Sequence, residues 1–208
     1  LKKENSNLDI LVRQTKISVP KVHIFAEKKT SESWLLMECL QGETIRSALF
    51  NEKSKEKREE ILFNFGRCLS EIHHTYCPPA LKHEAETNWL SQMLYQAEYN
   101  FKNFQVDGDK KLLEKIITHP LHIERQSLIH GDFTIDNVLV HNGIISGIID
   151  WGNATYGDPR FDLSLAIRPK PNAFQDEKDK LVFFEGYGES LIENHIYDYY
   201  ANGLYEFF

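Results

Sequence analysis

Cysteine is scarce in this chain of 208 residues, which has only three: Cys39, Cys68 and Cys77. They form no C-x-x-C pair, which argues against both a disulfide framework and a zinc site. Long apolar runs are also missing, because the best candidate, 34–37, stops at Glu38, far short of the ~18 residues of a membrane span. The polar residues that follow Leu1 do not resemble a signal peptide. These absences predict a cytoplasmic protein with no membrane partner.

The chain also lacks both common glycine-rich phosphate-binding motifs. It contains no G-x-x-x-x-G-K-[ST] sequence, and the G-x-G at Gly186 and Gly188 is followed by Leu191 where a third glycine belongs. The first residue is Leu1 rather than Met, so the sequence predicts that an upstream segment has been lost.

Positive charge is in deficit, with 24 Lys and Arg against 31 Asp and Glu and a net charge of −7. Residues 1–104 carry a net charge of +1 and residues 105–208 a net charge of −8. The missing basic stripe argues against a nucleic-acid partner. The acidic second half favours metal ions or a cationic ligand. Nothing in the sequence indicates an oligomeric state.

The apolar share of 41% is enough for a packed core. Alternating apolar residues in 21–27 predict a strand, and 34–38 is predicted as a second strand after a polar turn, so the two form an antiparallel hairpin. Apolar residues at spacings of three and four predict a long helix over 55–76, and further helices follow over 88–104 and 109–118. From Ser127 onward, short runs rich in β-branched residues predict small strands joined by tight turns. The sequence therefore predicts a mostly helical body with a small β insert.

Polar residues crowd into this insert, where 33 residues contain His130, Asp132, Asp136, Asn137, Asp150, Asp158 and Asp162. A short loop between two strands returns Asn137 beside Asp132, and the next hairpin brings Asp150 back alongside Asn137. Two carboxylates and an amide offer hard oxygen atoms. They suit Mg²⁺, which takes few carboxylates and completes its shell with water and phosphate oxygens.

Such a set is the minimal equipment for phosphoryl transfer, in which positioning and charge neutralisation do most of the work. Asp132 would accept or orient the proton of a substrate hydroxyl, while Asn137 and Asp150 would hold the metal on the donor phosphates. The alternative interpretation is that these side chains only form turns and helix caps.

Three segments carry the polar cluster: H-G-D-F-T-I-D-N-V-L from His130, I-D-W-G from Ile149, and G-D-P-R-F-D-L over 157–163. Their order and spacing resemble the aminoglycoside phosphotransferase family, small-molecule kinases with a protein-kinase-like fold. Upstream, W-L-L-M-E and then G-E-T, over 34–44, are similar to the family's hinge between lobes. G-R-C-L-S-E-I-H from Gly66 is similar to its long helix. The resemblance covers essentially the whole chain.

The resemblance implies an α+β, protein-kinase-like fold. Residues 1–40 would be the remnant of a truncated N-terminal β lobe with the hinge. Residues 41–208 would form a mostly helical C-terminal lobe with the small β insert. The same resemblance makes Asp132 the catalytic aspartate and makes Asn137 and Asp150 the Mg²⁺ ligands.

It also implies that ATP or GTP is the phosphoryl donor. The nucleotide's adenine pocket would be formed by the backbone of Glu38, Cys39 and Leu40 and by the side chains of Leu139 and Ile149. His130, Asp158 and Asp162 would support the catalytic and metal-binding loops.

The family's first strands, its phosphate-covering loop and its lysine would lie before Leu1, and Glu4 could match the helix glutamate that pairs with that lysine. Two alternatives stay open. A metal-dependent phosphohydrolase would need more His and Asp ligands, to hold two metals about 3.5–4 Å apart. A catalytically incomplete, kinase-like binding or regulatory module would apply if the natural protein lacks the upstream segment.

The acceptor is predicted to be a small molecule with a hydroxyl group. The acidic second half favours a cationic acceptor such as an aminoglycoside antibiotic, because carboxylates attract and pair with ammonium groups. The helices between Asn88 and Thr118 should line its site.

Overall fold

The computed structural model describes residues 1–28, 32–82, 88–169, 173–174 and 176–208. The described helices are α1 (Lys2–Gln14), α2 (Ile45–Asn51), α3 (Lys55–His74), α4 (Trp89–Asn103), α5 (Lys110–Thr118), α6 (Pro159–Ala166), α7 (Glu177–Tyr187) and α8 (Asn194–Tyr200). The strands are β1 (Val22–Glu27), β2 (Ser33–Met37), β3 (Glu43–Thr44), β4 (Ser127–Ile129), β5 (Val138–His141), β6 (Ile144–Ile148) and β7 (Thr155–Gly157). Short 3₁₀ turns occupy Pro79–Leu81, Trp151–Asn153 and Leu204–Phe207. A search of the described residues finds no helix with the length and apolar character needed to cross a bilayer.

The front of the chain combines α1 with a hairpin of β1 and β2, which are antiparallel as the sequence predicted. Successive side chains of a strand point to opposite faces. One face of the hairpin therefore packs on the core through Leu35 and Met37. The other face exposes Ile24, Trp34 and Leu36.

Helix α3 forms the centre of the larger part of the fold. Ser54 caps its N-terminus by accepting a backbone N–H of the first turn, and its apolar side chains cover one buried face. Helix α7 approaches closely because each helix offers a glycine at the contact. A Cβ at Gly66 would overlap the backbone of Phe183, and one at Gly186 would overlap the backbone of Phe63.

The β insert consists of two small sheets. β5 and β6 form a hairpin, β3 pairs with β5, and β4 pairs with β7 in a separate sheet. The β5–β6 turn is Asn142-Gly143, with φ of 53° and 79°, the left-handed backbone that a two-residue turn requires. In the loop between β4 and β5, the ring of Phe133 stacks on Phe65 of α3 with centroids 4.8 Å apart. This contact fixes the loop between β4 and β5, which carries Asp132, to the core.

A second apolar cluster lies among α4, α5, α6, α8 and the final 3₁₀ turn. Trp89 of α4 contacts Phe161 of α6 with ring centroids 5.4 Å apart. A Cβ at Gly157 of β7 would overlap the Trp89 ring, so the first turn of α4 lies beside the β insert. The predicted helices over 88–104 and 109–118 are confirmed as α4 and α5, and the mostly helical body with a small β insert is confirmed as well. The division into lobes at residue 40 stays a prediction.

Candidate active site

The loop that carries Asp132 is held in place by a buried carboxylate. Asp162, in the first turn of α6, is fully buried, and it accepts the backbone N–H of His130 at 2.6 Å and that of Gly131 at 2.9 Å. The Nε2 atom of His73, in α3, lies 3.4 Å from Oδ2 of the same carboxylate. Hydrogen bonds to an ionised acceptor are stronger than neutral ones, so Asp162 fixes the backbone of His130 and Gly131, the two residues before Asp132.

Both carboxylate oxygens of Asp132 are engaged. Oδ2 accepts the side-chain N–H of Asn137 at 3.0 Å, and the same Asn137 nitrogen donates to the Asp132 carbonyl at 2.8 Å. Oδ1 accepts the hydroxyl of Tyr205 at 2.9 Å. The structure therefore brings Asp132 and Asn137 together as the sequence predicted, and it adds a tyrosine that the sequence did not indicate.

Asn137 and Asp150 are neighbours through the backbone, because the amide of Ile149 donates to the carbonyl of Asn137 at 2.9 Å. The Asn137 amide nitrogen faces Asp132, so its oxygen faces away from Asp132. The Asp150 carboxylate is exposed. An amide oxygen and an exposed carboxylate are a donor set that fits Mg²⁺. Among the described residues, no group of three or more His, Cys, Asp or Glu side chains is placed to hold a metal.

The segment around Asp150 is supported from two sides. Asp150 itself has a left-handed backbone, with φ 61° and ψ 59°, which is uncommon for a residue other than glycine. His130 Nε2 lies 2.9 Å from the carbonyl of Ile149, and Asn7 of α1 donates to the carbonyl of Trp151 at 2.8 Å. These contacts fix the backbone on either side of the carboxylate.

Glu4 of α1 also lies close to this segment: a Cβ added to Gly152 would be 3.8 Å from the Cβ of Glu4. Burial raises the pKa of Glu4, and the negative charge of Asp150 raises it further. The pairing of Glu4 with an upstream lysine stays a prediction.

Gly131 has φ +84°, and a Cβ there would lie 2.6 Å from the carbonyl oxygen of Asn153. Only glycine accepts this backbone and this approach without strain. The loop that carries Asp132 and the segment after Asp150 therefore touch at this point.

Three of the residues predicted to meet adenine, Leu40, Leu139 and Ile149, lie around β5 and β6. Leu139 is opposite Gly147, and a Cβ at Gly147 would overlap the side chain of Leu40. Paired residues of adjacent strands share a face, so Leu40 and Leu139 lie on the same side of the sheet. The amide of Glu38 donates to the carbonyl of Lys21 at 2.8 Å, which ties the start of the predicted hinge to β1. The nucleotide-binding roles of these residues stay predictions.

A cavity of about 540 Å³ opens beside Asp132. One face of α4 lines it with Gln92, Met93, Gln96 and Asn100. The prediction that α4 lines an acceptor site therefore fits this cavity, whereas α5, which is described throughout, contributes no lining residue.

The charges of this cavity differ from those suggested by the acidic second half of the chain. Of the described lining residues, only Asp132 and Lys3 carry charged side chains, and the others are amide, hydroxyl, apolar or aromatic groups. Acidic residues of the second half form ion pairs elsewhere: Asp179 with Arg58 at 3.0 Å, for example.

Asp158 acts as scaffold, as the resemblance implied. Its side chain is fully buried, caps α6 by accepting the backbone N–H of Arg160 at 2.9 Å, and accepts the hydroxyl of Tyr200 at 2.7 Å. The guanidinium of Arg160 also lies 2.6 Å from it. Asp158 is thus fully occupied in joining α6 to α8.

The chain matches the phosphotransferase enzyme family over residues 1–196. An aminoglycoside 3'-phosphotransferase of Niallia circulans is 25% identical over 199 residues, covering 93% of this chain and 74% of the relative. One from Enterococcus faecalis is 27% identical over 183 residues, covering 82% of this chain and 66% of the relative. The chain therefore spans two thirds to three quarters of these proteins.

Solved structures show the same fold. The aminoglycoside-3'-phosphotransferase of type VIII superposes over 100% of this chain and 80% of its own, with a TM-score of 0.81 and 21% identity. The aminoglycoside phosphotransferase APH(3'')-Id of Streptomyces rimosus, in complex with ADP and streptomycin, superposes over 99% of this chain and 81% of its own, with a TM-score of 0.78 and 16% identity. The chain belongs to the phosphotransferase enzyme family, which places it among the small-molecule kinases.

Proposed function

We propose that this chain transfers the γ-phosphoryl group of ATP or GTP to a hydroxyl group of a small molecule. The observation that carries the proposal is the Asp132–Asn137 pair, in which one side chain fixes the orientation of a carboxylate at the edge of a cavity. Phosphoryl transfer depends mainly on such positioning and on charge neutralisation.

In the proposed step, the hydroxyl oxygen of the acceptor forms a bond to the γ-phosphorus. The bond from that phosphorus to the β–γ bridging oxygen breaks, and its electrons leave with the nucleoside diphosphate. The proton of the acceptor hydroxyl passes to the Asp132 carboxylate. Each oxygen of that carboxylate keeps a lone pair for the hydroxyl beyond the ones that Asn137 and Tyr205 use.

Asn137 and Asp150 would hold Mg²⁺, which supplies neutralisation of the phosphate charge when it is bound. Two observations support this assignment. The amide oxygen of Asn137 is turned away from Asp132, and Asp150 is exposed. His130 and Asn7 hold the backbone on both sides of Asp150, so the backbone that carries this carboxylate is fixed in place.

We assign the adenine contact to the backbone of Glu38, Cys39 and Leu40 and to the side chains of Leu139 and Ile149. The shared face of Leu40 and Leu139 supports it. The cytoplasm stays the predicted compartment.

For the acceptor we propose an aminoglycoside or a similar cationic compound. The support comes from the relatives, since several are named as aminoglycoside 3'-phosphotransferases. Among the described residues that line the cavity, Asp132 is the one carboxylate that could pair with a cationic acceptor. The transfer assay therefore compares cationic with neutral acceptors.

The test is a transfer assay with full-length natural protein, Mg²⁺ and nucleotide carrying a radiolabelled γ-phosphate. Acceptors should include aminoglycosides, macrolides, amino alcohols and neutral sugars of matched size. Labelled product from a hydroxyl compound, lost in the Asp132→Asn variant, supports the proposal. Nucleotide binding without transfer to any acceptor would favour the binding or regulatory module instead.

A further inference from the structure

Tyr205 lies in the last 3₁₀ turn of the chain, 73 residues from Asp132 in sequence, yet its hydroxyl donates to Asp132 Oδ1 at 2.9 Å. Asn137 donates to the other oxygen, Oδ2, at 3.0 Å. Two donors from distant parts of the fold therefore hold the same carboxylate, one on each oxygen.

The turn that carries Tyr205 is anchored at several points. The carbonyl of Glu206 accepts the backbone N–H of Asp107 at 3.1 Å and that of Gly108 at 2.9 Å. Asn100 of α4 donates to the carbonyl of Phe207 at 2.8 Å. These bonds tie the turn to α4 and to the segment before α5, so the position of Tyr205 is set before any substrate arrives.

The ring of Tyr205 is also held on one of its faces. The guanidinium carbon of Arg168 lies 4.7 Å from the ring centroid, within the range of a cation–π contact. The same guanidinium donates to Glu206 Oε1 at 2.7 Å. Arg168 therefore clamps the ring and the next residue together.

Tyr205 keeps its proton at neutral pH. Burial raises the pKa of its hydroxyl, and the Asp132 carboxylate raises it further by proximity and by hydrogen bonding. The phenol is thus a donor to Asp132 and not a second anion beside it.

We propose that Tyr205 is a positioning residue for the phosphoryl transfer, acting through Asp132, an inference that rests on the proposed function. With Oδ2 held by Asn137 and Oδ1 by Tyr205, the carboxylate has one orientation and presents its remaining lone pairs to the cavity. A reacting group held in a single productive geometry by neighbouring hydrogen bonds avoids the cost of being ordered during the reaction.

The test compares Tyr205→Phe with the unaltered full-length protein, using Mg-nucleotide and the acceptor with the highest turnover in the transfer screen. Removing the hydroxyl keeps the ring, the Arg168 contact and the turn. We expect kcat to fall about 10-fold, with the KM values for nucleotide and acceptor within about twofold. The matched control is Tyr199→Phe, which removes a buried hydroxyl that donates to the carbonyl of Ile116 at 3.1 Å; its kcat should not change.

A second variant separates positioning from simple loss of structure. Arg168→Gln keeps the Tyr205 hydroxyl but removes the cation that holds its ring. As a single variant it should lower kcat about threefold, and when it is added to Tyr205→Phe it should lower kcat no further. Melting temperatures of all variants show whether any loss of kcat comes from unfolding. If Tyr205→Phe itself loses fold, the Arg168→Gln measurement still decides the question.

Three outcomes overturn the proposal in different ways. An unchanged kcat for Tyr205→Phe, with an active unaltered protein, refutes the positioning role alone. A raised kcat with a lowered acceptor KM would make Tyr205 a lid that competes with the acceptor for Asp132. No transfer by the unaltered protein to any acceptor refutes the proposed function, and the positioning role with it.

Discussion

Asp162→Asn tests whether one buried carboxylate holds the loop that carries Asp132. Asp162 accepts the N–H groups of His130 and Gly131 on its two oxygens, at 2.6 and 2.9 Å. Asparagine has the same shape but replaces one of these oxygens with an NH₂ group. One backbone N–H then faces another donor, so a hydrogen bond is lost and a buried donor is left without a partner.

The expected loss follows from these two effects. A hydrogen bond to a charged group contributes about 1.5–3 kcal/mol, and an unsatisfied buried donor costs about 1–3 kcal/mol. The free energy of unfolding should therefore fall by about 2.5–6 kcal/mol, a large part of the ~5–15 kcal/mol of a typical domain. In a domain of this size each kcal/mol changes Tm by roughly 2–4 °C, so Tm should fall by roughly 5–24 °C.

The assay is differential scanning calorimetry of full-length protein, with kcat measured well below the Tm of the variant. Asp198→Asn is the matched control, because Asp198 is an exposed acceptor that bonds only the side chain of Asn202 at 2.9 Å among the described contacts. Such surface changes are usually within about 0.5 kcal/mol. A fall in Tm of less than about 2 °C for Asp162→Asn would refute the reasoning above.

Three further predictions concern the site. Asp132→Asn should lower kcat by ~10²–10⁴ and leave the nucleotide Kd within a few-fold; near-normal turnover would remove Asp132 from the chemistry. Asp150→Ala should abolish Mg²⁺-dependent nucleotide binding in calorimetric titration, whereas Asp158→Ala should mainly lower Tm, and the opposite pattern would exchange the two roles. Phosphatase treatment should leave the rate unchanged, because Gly131 offers no charge to pair with a phosphorylated loop; a loss reversed by rephosphorylation would contradict this.

Local patterns in the sequence predicted much of the fold. The periodic apolar residues of α3 mark the face that is buried, so this helix follows from the sequence. The alternating residues of β1 predicted a strand but not its buried face, because Ile24 is exposed. The contact between Asp132 and Asn137 was predictable for a similar reason, since both belong to one short loop. These features depend on residues close together in the chain.

Features that depend on distant parts of the chain were not predictable in this way. Tyr205 is an isolated tyrosine near the end, and its contact with Asp132 exists only because the last turn docks on α4. The net charge of the second half also proved a poor guide to the cavity, because ion pairs such as Glu189 with Arg125 at 2.6 Å occupy its carboxylates. A count of charges along the sequence carries no information about which of them face a pocket.

The close contact of α3 with α7 has a consequence for how the protein is made. Gly66 and Gly186 meet the backbones of each other's helices and lie about 120 residues apart. The ribosome therefore releases α3, the β insert and α6 before the helix that covers α3 exists. Contacts so distant in sequence form slowly, and apolar surface left uncovered during synthesis favours aggregation. A nascent chain that stalls before Glu177 would leave the α7-facing side of α3 uncovered, so stalling at this point should favour aggregation.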